Sequence, residues 1–421
     1  MINNTQIVFE FDVQIPTENA SGENKPQDSA ANYIEETVDY SGTAVTRIIG
    51  EFWTARQRQA SNLHEVSYRA CFKPQLPAYF IERYTKPGDV VLDPFSGRGT
   101  TAIEAALRGR KVIANDVNPL SVIFARPRLS VPANSTIENR LAEIPYVTGK
   151  KAEIDLSMFY EANTESEIVC LREYLNNRRE TGLEDAVDEW IRMVSTNRLT
   201  GHSPGFFSVY SLPPNQAASS ERQKKINIKL NQLPEYRDTK RIIIKKSKQL
   251  LNGLTEIEIS NLHTASRTAN FVIGEATNLL GVKDSSVSLT VTSPPFLKVV
   301  QYAADNWLRC WFNDLLLSEV APQITMADSV KTWSKVMSKV FFELYRVTKE
   351  GGIVAFEVGE VKNGKVKLEE VIVPLGIQAG FNCELVMINT QQFTKTANIW
   401  GVKNNEIGTN SNRIVIFRKT L

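Results

Sequence analysis

Histidine and cysteine are scarce, with three of the first and four of the second in 421 residues. Cys71, Cys170, Cys310 and Cys383 stand far apart with no C-x-x-C pair, so no zinc ligand set or disulfide framework is spelled out. Free thiols in a reducing compartment are the expectation. No apolar run approaches the roughly 20 residues that cross a bilayer, and no charged start followed by an apolar core opens the chain. The reading is a soluble, cytoplasmic protein. An excess of one charge is also missing overall, 49 Lys and Arg standing against 47 Asp and Glu for a net +2. That balance conceals two extremes. Residues 1–40 carry eight acids against Lys25, while residues 219–248 carry ten bases against Glu221, Glu235 and Asp238, a local +7. Without that segment the chain would stand at 2 − 7 = −5. One basic stretch on an acidic body points to a phosphate-backbone contact; a solvated helical face is the alternative.

What is present is organised around Val90 to Pro119, VVLDPFSGRGTTAIEAALRGRKVIANDVNP. Val90 to Leu92 reads as a buried parallel strand. It stops at Asp93-Pro94, passes Phe95 and turns through Ser96-Gly97-Arg98-Gly99 into a helix starting at Thr100-Thr101. A second strand, Lys111 to Asn115, ends on Asp116, ahead of Asn118. Glycines let a backbone approach a ligand closely, and an acid at the next strand tip can accept both hydroxyls of a ribose. Gly97, Gly99 and Ala102 also fit the G-x-G-x-x-A of nicotinamide dehydrogenases. Asp93 argues against a pyrophosphate, which would meet its negative charge. A carboxylate there suits a cationic amine, such as the methionine end of S-adenosylmethionine.

Residues 1–45 read as an acidic, loosely ordered arm with a short strand at Ile7 to Val13, followed by a helix from near Thr43 through Ile48, Ile49, Phe52 and Trp53, with Arg56 and Arg58 outside. Pro74 and Pro77 open another helix, and Lys86-Pro87-Gly88-Asp89 turns it into the strand at Val90. The loop Tyr68 to Gln75, with Phe72, Lys73 and Pro74, can therefore lie beside the glycine turn, as ligand wall or as packing. Residues 130–265 look mainly helical, with amphipathic stretches at 165–179, 183–198 and 240–252, and read as an insertion into a domain made of 46–129 and 266–421. Within it, His202 reads as a hydrogen-bonding loop residue. Strands are expected near 90, 112, 271, 288, 354, 384 and 414, the last two as an antiparallel pair. The fold class is α/β: a three-layer, Rossmann-like sheet of about seven strands.

Strand Val287 to Val291 ends in Thr292-Ser293-Pro294-Pro295-Phe296. Consecutive prolines stiffen the backbone and leave carbonyls without competing N–H donors. Ser293 adds an acceptor and Phe296 a flat face, on which a base stacks for about 1–3 kcal/mol. Such a tip suits a planar ring with an exocyclic amine, whose hydrogens go to Ser293 Oγ and the Pro294 carbonyl. Drawing those hydrogens to fixed acceptors frees the nitrogen lone pair for a methyl group.

DPFSGRGTT followed later by TSPPF resembles the amino-group DNA methyltransferases, and the serine form resembles their cytosine-N4 branch; the adenine-N6 branch more often has aspartate. The resemblance covers residues 64–128 and 270–419 and extends to FTKTANIWG at 393–401 and NRIVIFRK at 412–419. It implies S-adenosylmethionine as cofactor and double-stranded DNA as partner, hence a nucleoid-associated protein; a partner endonuclease is left open. It implies cofactor contacts from Tyr68 to Pro74, from the glycine turn, from Asp116, and from Thr292, Glu275 and Ala276. Glu275 departs from the family's commoner Asp. By position, the insertion is the target-recognition region, with Lys224, Lys225, Lys229, Lys240, Arg241, Lys245 and Lys246 on phosphates. The loop Ser203 to Phe207, with Phe206 and Phe207, is the candidate to fill the gap left by a flipped base. Adenine-N6 DNA methylation is the closest rival reading, followed by RNA base methylation and a catalytically silent DNA-binding relative.

Overall fold

The computed structural model describes residues 33–53, 60–69, 71–295, 302–316, 329–361, 366–390 and 411–420. Ile7 to Val13, Arg56, Arg58, Phe296 and the stretch 393–401 lie outside them. The strands are β1 (Ile34–Tyr40), β2 (Thr43–Gly50), β3 (Val90–Asp93), β4 (Lys111–Asp116), β5 (Asn270–Ile273), β6 (Val287–Thr292), β7 (Thr348–Val358), β8 (Glu360–Val361), β9 (Val366–Lys367), β10 (Asn382–Thr390) and β11 (Ser411–Arg418). The helices are α1 (Gln75–Tyr84), α2 (Thr100–Leu107), α3 (Leu120–Ala125), α4 (Asn134–Glu143), α5 (Ala162–Glu180), α6 (Ala186–Arg198), α7 (Ser220–Leu230), α8 (Thr239–Leu251), α9 (Glu256–Ser266), α10 (Tyr302–Phe312), α11 (Val330–Val347) and α12 (Glu369–Gln378). None of these helices is long and apolar enough to cross a membrane.

Nine strands form one sheet in the order β1-β2-β10-β11-β7-β6-β3-β4-β5. Its centre, β7-β6-β3-β4-β5, is parallel throughout. The chain winds outward from β3 to β5, then returns to lay β6 on the other side of β3. The reversal falls between β3 and β6, the crevice where open α/β sheets place ligands. Every residue of β6 is buried, because helices cover both faces. The antiparallel pair β10–β11 forms as the sequence pattern predicts.

Residues 34–50 correct the expected arm and helix. Val38, Val45, Ile48 and Ile49 lie in a two-stranded antiparallel hairpin, β1 against β2, closed at Tyr40↔Thr43 by Ser41-Gly42, both with positive φ. A two-residue turn with positive φ matches the twist of the strands it joins. Strand β2 then pairs in parallel with β10, which takes the sheet from seven strands to nine.

Two apolar clusters flank the sheet. One holds Trp333, Phe341 and Leu344 of α11 with Ile372 and Val373 of α12. The other joins Phe80 of α1, Ile103 of α2 and Phe124 of α3 to Ile168 of α5, Trp190 and Ile191 of α6, and Ile243 of α8. The helices between β4 and β5 thus share one core with the sheet face. Trp190 Nε1 donates to Ser247 Oγ at 2.9 Å, satisfying the indole inside that core.

Candidate active site

The glycine turn is defined by its backbone. Ser96 N–H donates to the Asn115 carbonyl at 3.0 Å and Gly99 N–H to the Ser96 carbonyl at 2.7 Å. Gly97 and Gly99 have φ of +51° and +80°. Gly99 is also a packing requirement, since a Cβ there would lie 2.5 Å from that of Ala125. The turn feeds α2, all of whose residues are buried. Thr100 and Thr101 are therefore under the turn: Thr101 Oγ1 donates to the Val291 carbonyl at 3.1 Å, and Thr100 Oγ1 accepts from Arg98 Nε.

Around the turn stand the tips of β3, β4 and β6. Asp93 is buried, and its Oδ1 accepts from Thr292 Oγ1 at 2.6 Å and from Phe95 N–H at 3.2 Å. Burial pushes its carboxyl up to about 7 against those hydrogen bonds. The Pro94 carbonyl accepts from Asn115 Nδ2. Asp116 Oδ2 accepts from Gly97 N–H at 2.8 Å and Oδ1 from Asn118 N–H at 2.9 Å; burial raises its pKa as well. Asn118 Nδ2 donates to Tyr68 Oη at 3.1 Å, and the Tyr68 ring closes the turn from the side at Gly97. Phe72 and Lys73 are half-buried, burial lowers the lysine pKa, and Pro74 caps α1. Beyond β4, Gly274 N–H reaches the Asp116 carbonyl, Ala276 is buried, and Glu275 is exposed with Thr277 Oγ1 donating to it. Ser96 Oγ and Asn115 Oδ1 are buried without a hydrogen-bond partner among the described residues.

The second half of the cleft follows β6. Ser293 is half-buried and Pro294 buried; the Pro295 carbonyl accepts from Trp333 Nε1 at 3.0 Å, which anchors the tip to α11. The Ser293 hydroxyl donates to the carboxylate of Glu357 on β7, to which Asn412 Nδ2 of β11 also donates. Burial raises the Glu357 pKa while both donors oppose the rise. Glu357 and Asn412 escape sequence reasoning. The one available signal is an acid within the otherwise apolar Ile353 to Val358.

The insertion places its expected contacts unevenly. Lys224, Lys225, Lys229, Arg241 and Lys245 are exposed. Lys240 is half-buried, its Nζ on the Ile144 carbonyl and over the Tyr146 ring. Lys246 is buried and paired with Glu65 at 3.1 Å. Phe206 and Phe207 are also buried, the first beneath the Arg198 guanidinium, while Ser203 is exposed. No cluster of potential metal ligands occurs among the described residues. The turn, buried Asp93, half-buried Asp116 and the Ser293 tip thus stand at neighbouring strand ends, tied together by the Asp93–Thr292 hydrogen bond.

A family profile described as DNA methylase matches residues 14–122. The type II methyltransferase M.MvaI of Kocuria varians is 22% identical over 300 residues, 64% of this chain and 61% of that protein. The type II methyltransferase M.MjaII of Methanocaldococcus jannaschii is 34% identical over 74 residues, 18% of this chain and 14% of the other. The chain thus spans less than two thirds of either relative. Among solved structures, a SAM-dependent methyltransferase of Methanosarcina mazei is similar over 81% of this chain and 97% of its own, at 12% identity and a TM-score of 0.32.

Proposed function

We propose that the chain is an amino-group DNA methylase of the N6/N4 kind with S-adenosylmethionine as cofactor, and that it methylates the exocyclic N4 amine of cytosine in duplex DNA. The observation that carries this reading is the 2.6 Å bond between Thr292 and Asp93, which sets the Ser293 tip and the glycine turn on one cleft. The residues fit the cofactor. Asp93 meets a cationic amine, the turn and the unsatisfied Ser96 Oγ meet its polar end, and Asp116 retains lone pairs for ribose hydroxyls. S-adenosylmethionine, when bound, supplies an electrophilic methyl group. With its proton directed at Glu357, the Ser293 oxygen offers only lone pairs to the cleft and accepts from a base amine. The serine at this tip favours cytosine over adenine. Lys224, Lys225, Lys229, Arg241 and Lys245 are the phosphate contacts of this reading, within a target-recognition region at 130–265.

The test incubates purified protein with labelled cofactor and mixed-sequence duplex DNA, then digests to nucleosides for mass analysis. N4-methylcytosine is expected. N6-methyladenine alone would move the target to adenine, and label on RNA or protein but never on DNA would reject the reading. Ser293→Ala is expected to remove most turnover while leaving cofactor affinity nearly unchanged, measured by calorimetry beside the activity assay.

A further inference from the structure

Arg128 is a guanidinium wholly withdrawn from solvent. Its donors go to main-chain carbonyls of three separate segments. Nε reaches Phe124 at 2.8 Å, Nη1 reaches Leu63 at 2.8 Å, and Nη2 reaches Arg98. No ion pair joins it to a carboxylate among the described residues; burial first, and the Arg98 charge second, hold its pKa well below the usual range. A buried charge in that state is costly unless its geometry serves something.

Of the three carbonyls it holds, that of Arg98 belongs to the glycine turn itself, while those of Leu63 and Phe124 tie the turn to the core beneath it. The Arg98 carbonyl belongs to the Arg98–Gly99 peptide, and on its Gly99 side, at φ +80°, no Cβ resists rotation. Turned outward, that carbonyl dipole would meet the carboxylate of an amino acid seated on the turn. Turned inward, as it is, it leaves the cleft wall free of an opposing negative end. Leu63 begins the segment that leads to Tyr68, and Arg98 Nη1 pins the same segment at His64 and Val66. Asp93, the one acid of β3, is buried beside the turn, held by Phe95 N–H and Thr292 Oγ1.

We propose that Arg128 is a positioning residue for the amino-acid end of the cofactor. It fixes the Arg98 carbonyl away from the cleft and locks the Tyr68 segment against the turn. This rests on S-adenosylmethionine as the ligand, and the test separates the two claims. Calorimetry compares S-adenosylmethionine with 5′-methylthioadenosine, which keeps the nucleoside and sulfur but lacks the amino-acid end, for wild type, Arg128→Lys and Arg128→Met, each checked for native circular dichroism. Expected is a loss of about tenfold or more for S-adenosylmethionine in Arg128→Met, the scale of a charged hydrogen bond, and a smaller loss in Arg128→Lys, with methylthioadenosine held within about twofold in both. Unchanged S-adenosylmethionine affinity, or equal losses for both ligands, overturns the assignment. Should Arg128→Met fail to fold, Arg128→Lys is read by the same two criteria. Wild-type protein that binds neither ligand would overturn the cofactor reading instead.

Discussion

Among the raised carboxyls at the site, Asp93 gives the clearest pH dependence. The Asp93 pKa stands at about 7 against an ordinary 3.8, and burial is the leading cause. An acid raised in this way stabilises the fold most below its unfolded pKa, and that contribution drains away as pH climbs from about 4 to about 7. Above 7 the ligand-free protein therefore carries an unwelcome buried charge. A cationic amine beside Asp93 would restore it, so cofactor affinity is expected to weaken as pH falls from 8 to 6. Asp93→Asn is expected to lower cofactor affinity by about tenfold or more, yet to raise the melting temperature of ligand-free protein at pH 8 by about 2–4 °C. Calorimetry at both pH values and thermal melts check this; a variant that melts lower and binds equally well would defeat it. Asp93, Gly97, Gly99, Asp116 and Ser293 are legible in the sequence because each stands at a strand end in a short motif. Glu357, Asn412 and Arg128 are not, because their meaning comes from partners on other elements.

Among the elements, the hairpin β1–β2 departs furthest from what the pattern predicts. Ile48 packs toward one apolar cluster and Ile49 toward the other. A strand covered on both faces loses period-two alternation, and neighbouring apolar pairs then imitate a helix. The usable signal was the turn, Ser41-Gly42 between β-branched runs. The long helices α5 and α8 were readable because each has a solvent side; α6 has none, and its start is marked instead by the Asp185 cap. Strand β2 also covers β10, pairing from Val386↔Arg47 to Asn389↔Gly50. A chain starting at residue 51 exposes that edge, and open edges recruit other chains. Such a truncation is expected to melt at lower temperature and to elute as oligomers; size-exclusion chromatography showing an unaltered, stable monomer would contradict it.

Over the whole molecule, charge is partitioned between surface and interior. Composition revealed the basic stretch but could not say which bases face solvent, since Lys246 differs from Lys245 only by one step around α8. Replacing Lys224, Lys225 and Lys229 with Glu is expected to weaken DNA binding across sequences and flatten the log-affinity versus log-salt slope by about 0.9 for each phosphate no longer neutralised. Lys246→Gln is expected to leave the slope unchanged and to cost little stability, since Glu65 is exposed and keeps its Gln249 hydrogen bond. Fluorescence anisotropy titrated with sodium chloride reads the slopes, and thermal melts read the stability.

Asp93 and Thr292 meet across 199 positions of chain, and the Ser293 partner Glu357 is itself fastened by Asn412 of β11. Contacts of such range form slowly and late. During translation Asp93 therefore lacks its Thr292 partner until β6 is made, and Glu357 lacks Asn412 until β11 is made.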